Sequence, residues 1–319
     1  MSEIDWSAKD MRDVFFDRVY DLACEDERIV FLSADHGAFS LEKFKKDFPD
    51  RYINTTIAEQ NTIGLAAGLA LSGKIVYVYG IASFVSLRVL EQISIDLAAM
   101  NLPVNIVSVG AGFTYSTDGP THHGIQDLPA VMTVPNLSVF NSSDPFSTRA
   151  FAEIAVTEPG AKYIRIEKGN LNTFFEDMSH NYSEGVACIR DGTDIVIVSS
   201  GAILHEAMKA AELLQNETGL KVGVIDLYRP KPLPIKSLIS LLSVAERIVT
   251  LEEGLLGGGL GQNIGSCLLE NKIFRPFLRI GIDDCFCFES GERDWMRAQY
   301  GLNAEQIAKK LSMWLSKDD

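Results

Sequence analysis

Short apolar segments of strand length alternate with helical segments along most of the chain, and this alternation constrains the fold more than any other feature. In the first half, RIVFLSAD, KIVYVYG and PVNIVSVGA are separated by helical stretches. In the second half, DIVIVSSG, KVGVIDL, RIVTLEE and FLRIGI repeat the arrangement. Buried strands joined through helices are typical of parallel sheets covered on both faces. The sequence therefore predicts an α/β fold.

The alternation is interrupted once, which predicts two domains. A chain of 319 residues exceeds what one hydrophobic core usually serves. Around residues 170–190 the regular spacing is lost before it resumes. We predict a first domain over residues 1–172, a linker over 173–190 and a smaller second domain over 191–319, each with a mostly parallel sheet flanked by helices.

The acidic balance of the chain argues against two classes of partner. The net charge is −14, whereas surfaces that bind nucleic acid or anionic membranes need clustered lysine and arginine. No apolar run is long enough to span a bilayer, and the first residues lack a signal-peptide core. We expect no nucleic-acid or membrane partner and a cytoplasmic location. For the cysteines we expect reduced core thiols, at Cys24, Cys188, Cys267, Cys285 and Cys287.

One carboxylate opens an apolar segment. Glu59 follows the strand-like residues 52–53 and precedes QNTIGLAAGLAL, which leaves almost no polar face. A helix that is apolar all round is buried, and a buried carboxylate needs a partner. Because ligands bind beyond the carboxyl ends of parallel strands, Glu59 is a candidate binding residue. The alternative is an acid stabilised only by the dipole of its helix.

Four motifs resemble those of one enzyme family. IAEQNTIGLAAGLALSGK, SFVSLRVLEQI, STDGPTHHGIQDL and SSDPFSTRAFAEI occur in this order, and they resemble the pyrimidine-binding domain of transketolase-type thiamine-diphosphate enzymes. The second half resembles the transketolase C-terminal domain, above all in the tail IGIDDCFCFESGERDWMRAQYGLNAEQIAKKL. Several ordered motifs are more specific than any single match. The resemblance implies a transferase that moves a two-carbon ketol unit from a ketose to an aldose.

The resemblance implies a cofactor site for thiamine diphosphate. Glu59 matches the glutamate that hydrogen-bonds N1′ of the aminopyrimidine ring, and it would act as a catalytic residue. Phe84 matches an aromatic residue that lies against the pyrimidine face, and Ile81 stands where other members often carry an aromatic residue. Asp35 falls where the family has an aspartate that lines the cofactor site at a subunit interface. Plain core packing is the alternative for Phe84.

The stretch TDGPTHHG resembles the sugar-binding signature of transketolases. Asp118 matches an acid that contacts a sugar hydroxyl, and His122 matches a histidine that binds substrate and transfers protons. Arg12 falls near an arginine that binds the substrate phosphate. A plain turn at Asp-Gly-Pro is the alternative, and a metal site at the histidine pair is disfavoured because no acidic ligand set surrounds it.

Two positions depart from the family's phosphate site. Gly110 stands where a phosphate-binding histidine is expected, and Lys168 only approximates an arginine. Lysine does not reproduce the two-pronged geometry of arginine. The sequence therefore predicts an unusual sugar substrate, either without a phosphate or with its anion placed elsewhere.

The family's metal motif is absent from this sequence. Relatives bind the cofactor's diphosphate through Mg²⁺ held by a Gly-Asp-Gly motif and an asparagine, and no GDG occurs here. The resemblance therefore implies a split enzyme, in which an N-terminal transketolase subunit carries the diphosphate and Mg²⁺ site, with an α2β2 assembly. Two alternatives remain: the β subunit of a 2-oxoacid dehydrogenase E1 component, which carries no DGPTH signature, and a non-catalytic interaction subunit.

Overall fold

Two sheets organise the chain in this computed structural model, which describes residues 8–35, 37–175 and 179–316. The first sheet has the strand order β2-β1-β3-β4-β6-β5, and all of its strand pairs are parallel. Its strands are β1 (Ile29–Ser33), β2 (Tyr52–Asn54), β3 (Ile75–Ile81), β4 (Val104–Val109), β5 (Ser138–Asn141) and β6 (Lys162–Ile166). The predicted α/β architecture is confirmed.

Helices cover both faces of this sheet. They are α1 (Met11–Glu25), α2 (Leu41–Asp47), α3 (Glu59–Leu71), α4 (Leu90–Gln92, which continues as a π-helical segment, Ile93–Ala98), α5 (Asp127–Met132) and α6 (Pro145–Thr157). One core contains Phe15 of α1 and Phe151 of α6, and the other contains Ile63 of α3 and Ile93. The Ser-Asp-Pro sequence at 143–145 predicts a helix start, because such residues favour the cap and first turn of a helix. Helix α6 does begin at Pro145, where Asp144 and Ser147 form a capping box.

Three expectations about local structure are wrong. The sequence of residues 84–100 predicts a single helix, but the segment begins with a 3₁₀ turn at Leu87–Val89 and widens to a π-helix after α4. Helix α3 is not buried on all sides, because the sheet covers only one face and Leu65 and Leu71 are exposed on another. Among the cysteines, only Cys267 and Cys287 are buried, whereas the other three are exposed.

The second sheet has the order β11-β10-β8-β9-β7, with β7 antiparallel to β9 and the other pairs parallel. Its strands are β7 (Ala187–Arg190), β8 (Ile195–Ser199), β9 (Val222–Asp226), β10 (Ile248–Leu255) and β11 (Phe277–Ile282). Its helices are α7 (Leu204–Thr218), α8 (Ile235–Leu242), α9 (Leu260–Glu270), α10 (Arg293–Gln299) and α11 (Ala304–Leu315). Strand β7 forms inside the segment 173–190 that the sequence predicts as a linker, and the domain limits themselves stay a prediction.

A buried charge cluster joins the two domains. The guanidinium of Arg293 on α10 binds Glu167 with Nη1 at 2.8 Å from Oε2, and it binds Glu253 with Nη2 at 2.8 Å from Oε2. Arg297 also contacts Glu253 at 2.8 Å. The backbone N–H of Phe113, in the loop after β4, donates to Glu253 Oε1 over 2.9 Å. The second domain therefore holds a loop of the first domain in place.

The register of the first sheet places the carboxyl ends of its strands at one edge. Ser33 of β1 aligns with Asn54 of β2 and with Tyr79 of β3. Val109 of β4 aligns with the end of β3 and with Ile166 of β6. The loops that follow these strands therefore meet at a common edge. No helix among the described residues combines the length and the apolar character needed to cross a membrane.

Candidate functional site

Residues singled out from the sequence lie at this carboxyl edge. Asp35 follows β1, Glu59 follows β2, Ile81 ends β3, Gly110 follows β4 and Lys168 follows β6. Ligands of open parallel sheets bind at such an edge. The fold therefore brings residues that are more than 100 positions apart in sequence to one side of the first domain.

Glu59 is a buried carboxylate with a cationic partner. It opens α3 and is only 4% exposed. Nη1 of Arg88 lies 2.8 Å from Glu59 Oε2, and the side chain of Arg88 is 45% exposed. The sequence analysis missed Arg88, because nothing in the local pattern marks a residue 29 positions away as the partner of Glu59.

An aromatic ring and a histidine continue the site beyond this ion pair. The guanidinium carbon of Arg88 lies 4.4 Å from the ring centroid of Phe84. The ring of Phe84 meets that of His122 edge to face, with 5.0 Å between centroids. His122 is half-buried, and its Nδ1 lies 3.0 Å from Oγ1 of Thr121. The predicted residues Glu59, Phe84 and His122 thus lie along one continuous line of contacts.

The two adjacent histidines have different environments. His123 is buried, its ring packs edge to face on Phe113 at 5.2 Å, and its Nε2 lies 3.4 Å from the carbonyl of Ser116. Burial lowers the pKa of His123. His122 instead contacts Phe84 in the site. His122 therefore stays the candidate residue for substrate contact, and His123 packs in the interior.

The far end of the site is filled by Tyr115. At Gly110 the backbone φ is +96°, and a Cβ atom there would lie 2.4 Å from ring carbons of Tyr115. A histidine at position 110 is therefore incompatible with this packing. Nζ of Lys168 lies 5.3 Å from the centroid of the Tyr115 ring. Burial raises the pKa of Tyr115 to about 12, although nearby Arg12 acts in the opposite direction.

Arg12 is held by a neighbouring acid instead of being free in the site. Its Nε and Nη2 bind Oδ1 and Oδ2 of Asp10 over 3.0 and 2.9 Å. Asp10 also caps α1 and accepts the backbone N–H of Gly169 over 3.0 Å. The two-pronged pair fixes the guanidinium near Tyr115. Arg12 can therefore contribute positive charge to the site, but its Nε and Nη2 donors are already bound to Asp10.

Two other predicted residues lie at the margin of the site. Asp35 is exposed with a φ of 54°, and its Oδ1 accepts a hydrogen bond from Nδ2 of Asn54 over 3.0 Å. Asp118 ends the 3₁₀ turn Ser116–Asp118, and its side chain is exposed. Its backbone N–H donates to the carbonyl of Tyr115 over 3.1 Å, which places it beside the aromatic part of the site.

The described residues contain no group of three or more histidine, cysteine, aspartate or glutamate side chains arranged to hold a metal ion. The functional side chains at the edge are instead a carboxylate, aromatic rings, a histidine and cations. Such a set can bind a flat polar ring and a hydroxylated or anionic molecule beside it.

Comparison with known proteins decides the family. Residues 7–173 match the transketolase pyrimidine-binding domain, and residues 185–307 match the transketolase C-terminal domain. The chain belongs to the transketolase family. An apulose-4-phosphate transketolase subunit from Phocaeicola vulgatus is 32% identical to it over 308 residues, which span 96% of this chain and 97% of that one. A 6-deoxy-6-sulfo-D-fructose transketolase subunit from Clostridium sp. is 31% identical over 300 residues, spanning 94% and 92%.

Solved transketolase structures share the fold. A split-gene transketolase, solved as an inactive β4 tetramer, is 30% identical with a TM-score of 0.84, covering 96% of this chain and 98% of that chain. A transketolase from Pichia stipitis is 21% identical with a TM-score of 0.80, and here the match covers 96% of this chain but 46% of that chain. This transketolase chain is therefore similar over nearly its whole length to subunits of split transketolases.

Proposed function

We propose that this chain is the C-terminal subunit of a two-subunit transketolase that depends on thiamine diphosphate and transfers a two-carbon ketol unit from a ketose to an aldose. The observation that carries the proposal is the buried Glu59 at the carboxyl edge of the first sheet, linked through Arg88 to Phe84 and from there to His122. These are the residues that the family resemblance assigns to the aminopyrimidine ring and the sugar.

The contacts of Arg88 support a site for a flat, protonatable ring. Its planar guanidinium donates a hydrogen bond to the carboxylate of Glu59 and lies against the ring of Phe84. An aminopyrimidine ring would use the same two interactions, a hydrogen bond to a carboxyl group and packing on an aromatic side chain. The residues present therefore fit the pyrimidine half of thiamine diphosphate, with Ile81 and Asp35 at its margins.

The candidate residues have distinct roles in the proposed reaction. When bound, thiamine diphosphate would supply a nucleophilic carbon. Glu59 holds a proton at N1′ of the pyrimidine ring, and Phe84 orients that ring. His122 binds the sugar and moves protons at its reacting oxygens. Asp118 contacts a sugar hydroxyl, and Arg12 supplies positive charge near Tyr115.

The proposed partner is an N-terminal transketolase subunit that binds the diphosphate and Mg²⁺. The exposed apolar side chains Ile57, Leu65 and Leu71, which lie on or next to α3, support an interface on this side of the domain. These apolar side chains would be removed from water at such an interface. We propose an α2β2 assembly in which each cofactor lies between the two kinds of subunit.

Reconstitution tests this function. The chain is mixed with a candidate transketolase N-terminal subunit from the same organism, thiamine diphosphate and Mg²⁺ are added, and ketol transfer is measured. Activity should require both chains, and Glu59→Gln should abolish it without preventing assembly. Decarboxylation of a 2-oxoacid in place of ketol transfer would identify an E1 component instead. Assembly without turnover on any ketose would identify an interaction subunit.

We further propose that the substrate differs from the ordinary pentose phosphates. Support comes from Gly110, where Tyr115 fills the space of the expected histidine, and from Lys168 in place of arginine. Relatives act on apulose 4-phosphate and on 6-deoxy-6-sulfo-D-fructose, so unusual sugars occur among split transketolases. Loss of a charge-assisted hydrogen bond removes roughly 1.5–3 kcal/mol, which is about 10- to 150-fold in affinity.

A specificity panel tests the substrate proposal. The kcat/KM of the reconstituted enzyme is compared for xylulose 5-phosphate, ribose 5-phosphate, unphosphorylated ketoses, sulfonated ketoses and branched sugar phosphates. We expect at least one unusual sugar to exceed the pentose phosphates by about tenfold or more. Preference for the pentose phosphates by orders of magnitude would show that other residues rebuild the phosphate site.

A further inference from the structure

Arg88 lies where two of the proposed cofactor contacts converge. Its Nη1 is 2.8 Å from Oε2 of Glu59, and its guanidinium carbon is 4.4 Å from the centroid of Phe84. Both groups belong to the pyrimidine half-site proposed above. The same carboxyl oxygen and the same ring are therefore contacted by a side chain of the protein itself.

The burial of Glu59 explains why a cation is held there. A carboxylate that is only 4% exposed is strongly destabilising without a partner. Arg88 provides a hydrogen bond and a compensating charge in the chain without ligand. A neutral ring that binds Glu59 through a shared proton removes the need for that compensating charge.

The contacts of Arg88 allow its side chain to move away from Glu59. Its side chain is 45% exposed, and it contacts Glu59 through a single nitrogen instead of both prongs of the guanidinium. The backbone at Arg88 is held separately, because its carbonyl accepts a hydrogen bond from Nε2 of Gln60 over 3.3 Å. The side chain can thus turn toward solvent while the 3₁₀ turn that carries it stays in place.

We propose that Arg88 is an internal stand-in for the aminopyrimidine ring: it neutralises Glu59 in the unliganded chain and moves out when the cofactor binds. This inference rests on the proposed function, because it assumes that Glu59 and Phe84 bind that ring. Arg88 is thus a positioning residue that keeps the half-site folded and competes with the cofactor for it. The cofactor can bind only those molecules in which Arg88 has left Glu59. The apparent affinity therefore equals the intrinsic affinity multiplied by the fraction of such molecules.

The first test uses the purified chain alone. Thermal unfolding at pH 7 is measured for the Arg88→Ala, Glu59→Gln and doubly substituted chains, with Arg18→Ala as the control. Arg18 makes a comparable single-nitrogen pair, with Nε at 2.9 Å from Glu153 Oε1, which joins α1 to α6. We expect Arg88→Ala to lower the Tm by a few degrees more than Arg18→Ala, and we expect little further loss when Glu59→Gln is already present. Fully additive effects of the two site substitutions would overturn the inference.

The second test uses the assembled complex and measures cofactor binding by calorimetry at saturating Mg²⁺. If Arg88 is engaged in about 90% of unliganded molecules, Arg88→Ala should tighten thiamine diphosphate binding about tenfold. Arg88→Lys, which keeps the charge but not the planar fork, should give a smaller gain. Unchanged or weaker binding by Arg88→Ala would overturn the inference, because Arg88 would then belong to the bound site.

The two proposals fail in different ways. If neither the unsubstituted complex nor the Arg88→Ala complex binds thiamine diphosphate, the proposed function itself is wrong. If the unsubstituted complex binds it and Arg88→Ala gives no gain, the proposed function stands and the stand-in role of Arg88 is wrong. A merely structural role for Arg88 predicts lower stability with no gain in affinity, so tighter binding separates the two explanations.

Discussion

Removal of the charge on Glu253 should strongly destabilise the chain. Glu253 is buried at the junction of the domains, where it binds Arg293 and Arg297 and accepts the backbone N–H of Phe113. Burial alone would raise the pKa of Glu253, but Arg293 and Arg297 outweigh burial and hold that pKa well below its usual range. The carboxylate is therefore the charge on which the cluster depends.

Glu253→Gln keeps the shape of the side chain and removes its charge. Arg293 then keeps Glu167 as its buried partner, whereas among the described residues Arg297 keeps only the exposed Asp294, at 3.8 Å. Loss of one partner from a buried ion pair typically costs about 3–5 kcal/mol. In a chain of this size that corresponds to a fall in Tm of about 4–8 °C.

Thermal unfolding followed by calorimetry at pH 7 is the assay, with Glu158→Gln as the matched control. Glu158 also joins the two domains, through a two-pronged pair with Arg229 at 3.1 and 2.7 Å, but it is half-exposed. We expect Glu158→Gln to lower the free energy of unfolding by about 1 kcal/mol or less. The difference between the wild type and Glu253→Gln should shrink as the pH falls below the ordinary value of 4.5, because the unfolded wild type then takes up a proton that the folded chain, in which the pKa of Glu253 is lowered, does not yet bind.

Two results would refute this reasoning. One is a Glu253→Gln chain that is no less stable than the Glu158→Gln control. The other is a loss of stability that persists unchanged at low pH, since this would mean that the charge on Glu253 is not what stabilises the junction.

Three further predictions address the site and its supports. Glu59→Gln in the assembled complex should slow exchange of the cofactor's C2 proton by about 10²–10⁴-fold, and near-normal exchange in an NMR assay would show that another residue has this role. Gly110→Ala should lower the free energy of unfolding by roughly 2–6 kcal/mol, because it combines a strained backbone with a Cβ at 2.4 Å from Tyr115. Denaturant unfolding should show the part of this cost that comes from the clash disappearing in a Tyr115→Ala background, while the part that comes from the backbone remains. An equal cost in both backgrounds would contradict a clash with Tyr115. Burial raises the pKa of Glu252 to about 7, against the opposing effect of two backbone N–H donors. The free energy of unfolding of the wild type should therefore fall by on the order of 3 kcal/mol between pH 4.5 and 7, relative to that of Glu252→Gln. Parallel pH profiles of Tm for the two chains would contradict this prediction.

The sequence by itself determined the class of the fold and marked several candidate site residues. The alternation of strands and helices predicted a parallel sheet, and the first domain has one. The apolar segment after Glu59 predicted a helix, and α3 begins at that residue. Pro145 predicted the start of α6 correctly. Such features depend on residues close in sequence, because periodicity and capping act within a few positions.

The sequence did not determine the short elements. Helices α2, α5 and α10 and strand β5 were not predicted, and β7 formed within the predicted linker. Each of them spans seven residues or fewer, so their patterns are too short to distinguish one period from another. Strand β7 forms because the edge of β9 is available for pairing, which is a tertiary condition and not a local one.

Only the tertiary structure decided which charged and aromatic side chains meet. Arg88 and Glu59 are 29 positions apart, and Arg293 and Glu167 are 126 apart. Whether such pairs form depends on how the sheets align their edges and how the domains dock, since burial and not local pattern gives each pair its energy. The packing of Tyr115 beside Gly110 is also decided by the tertiary structure. The glycine leaves space next to its backbone, and the folded loop places the Tyr115 ring in that space.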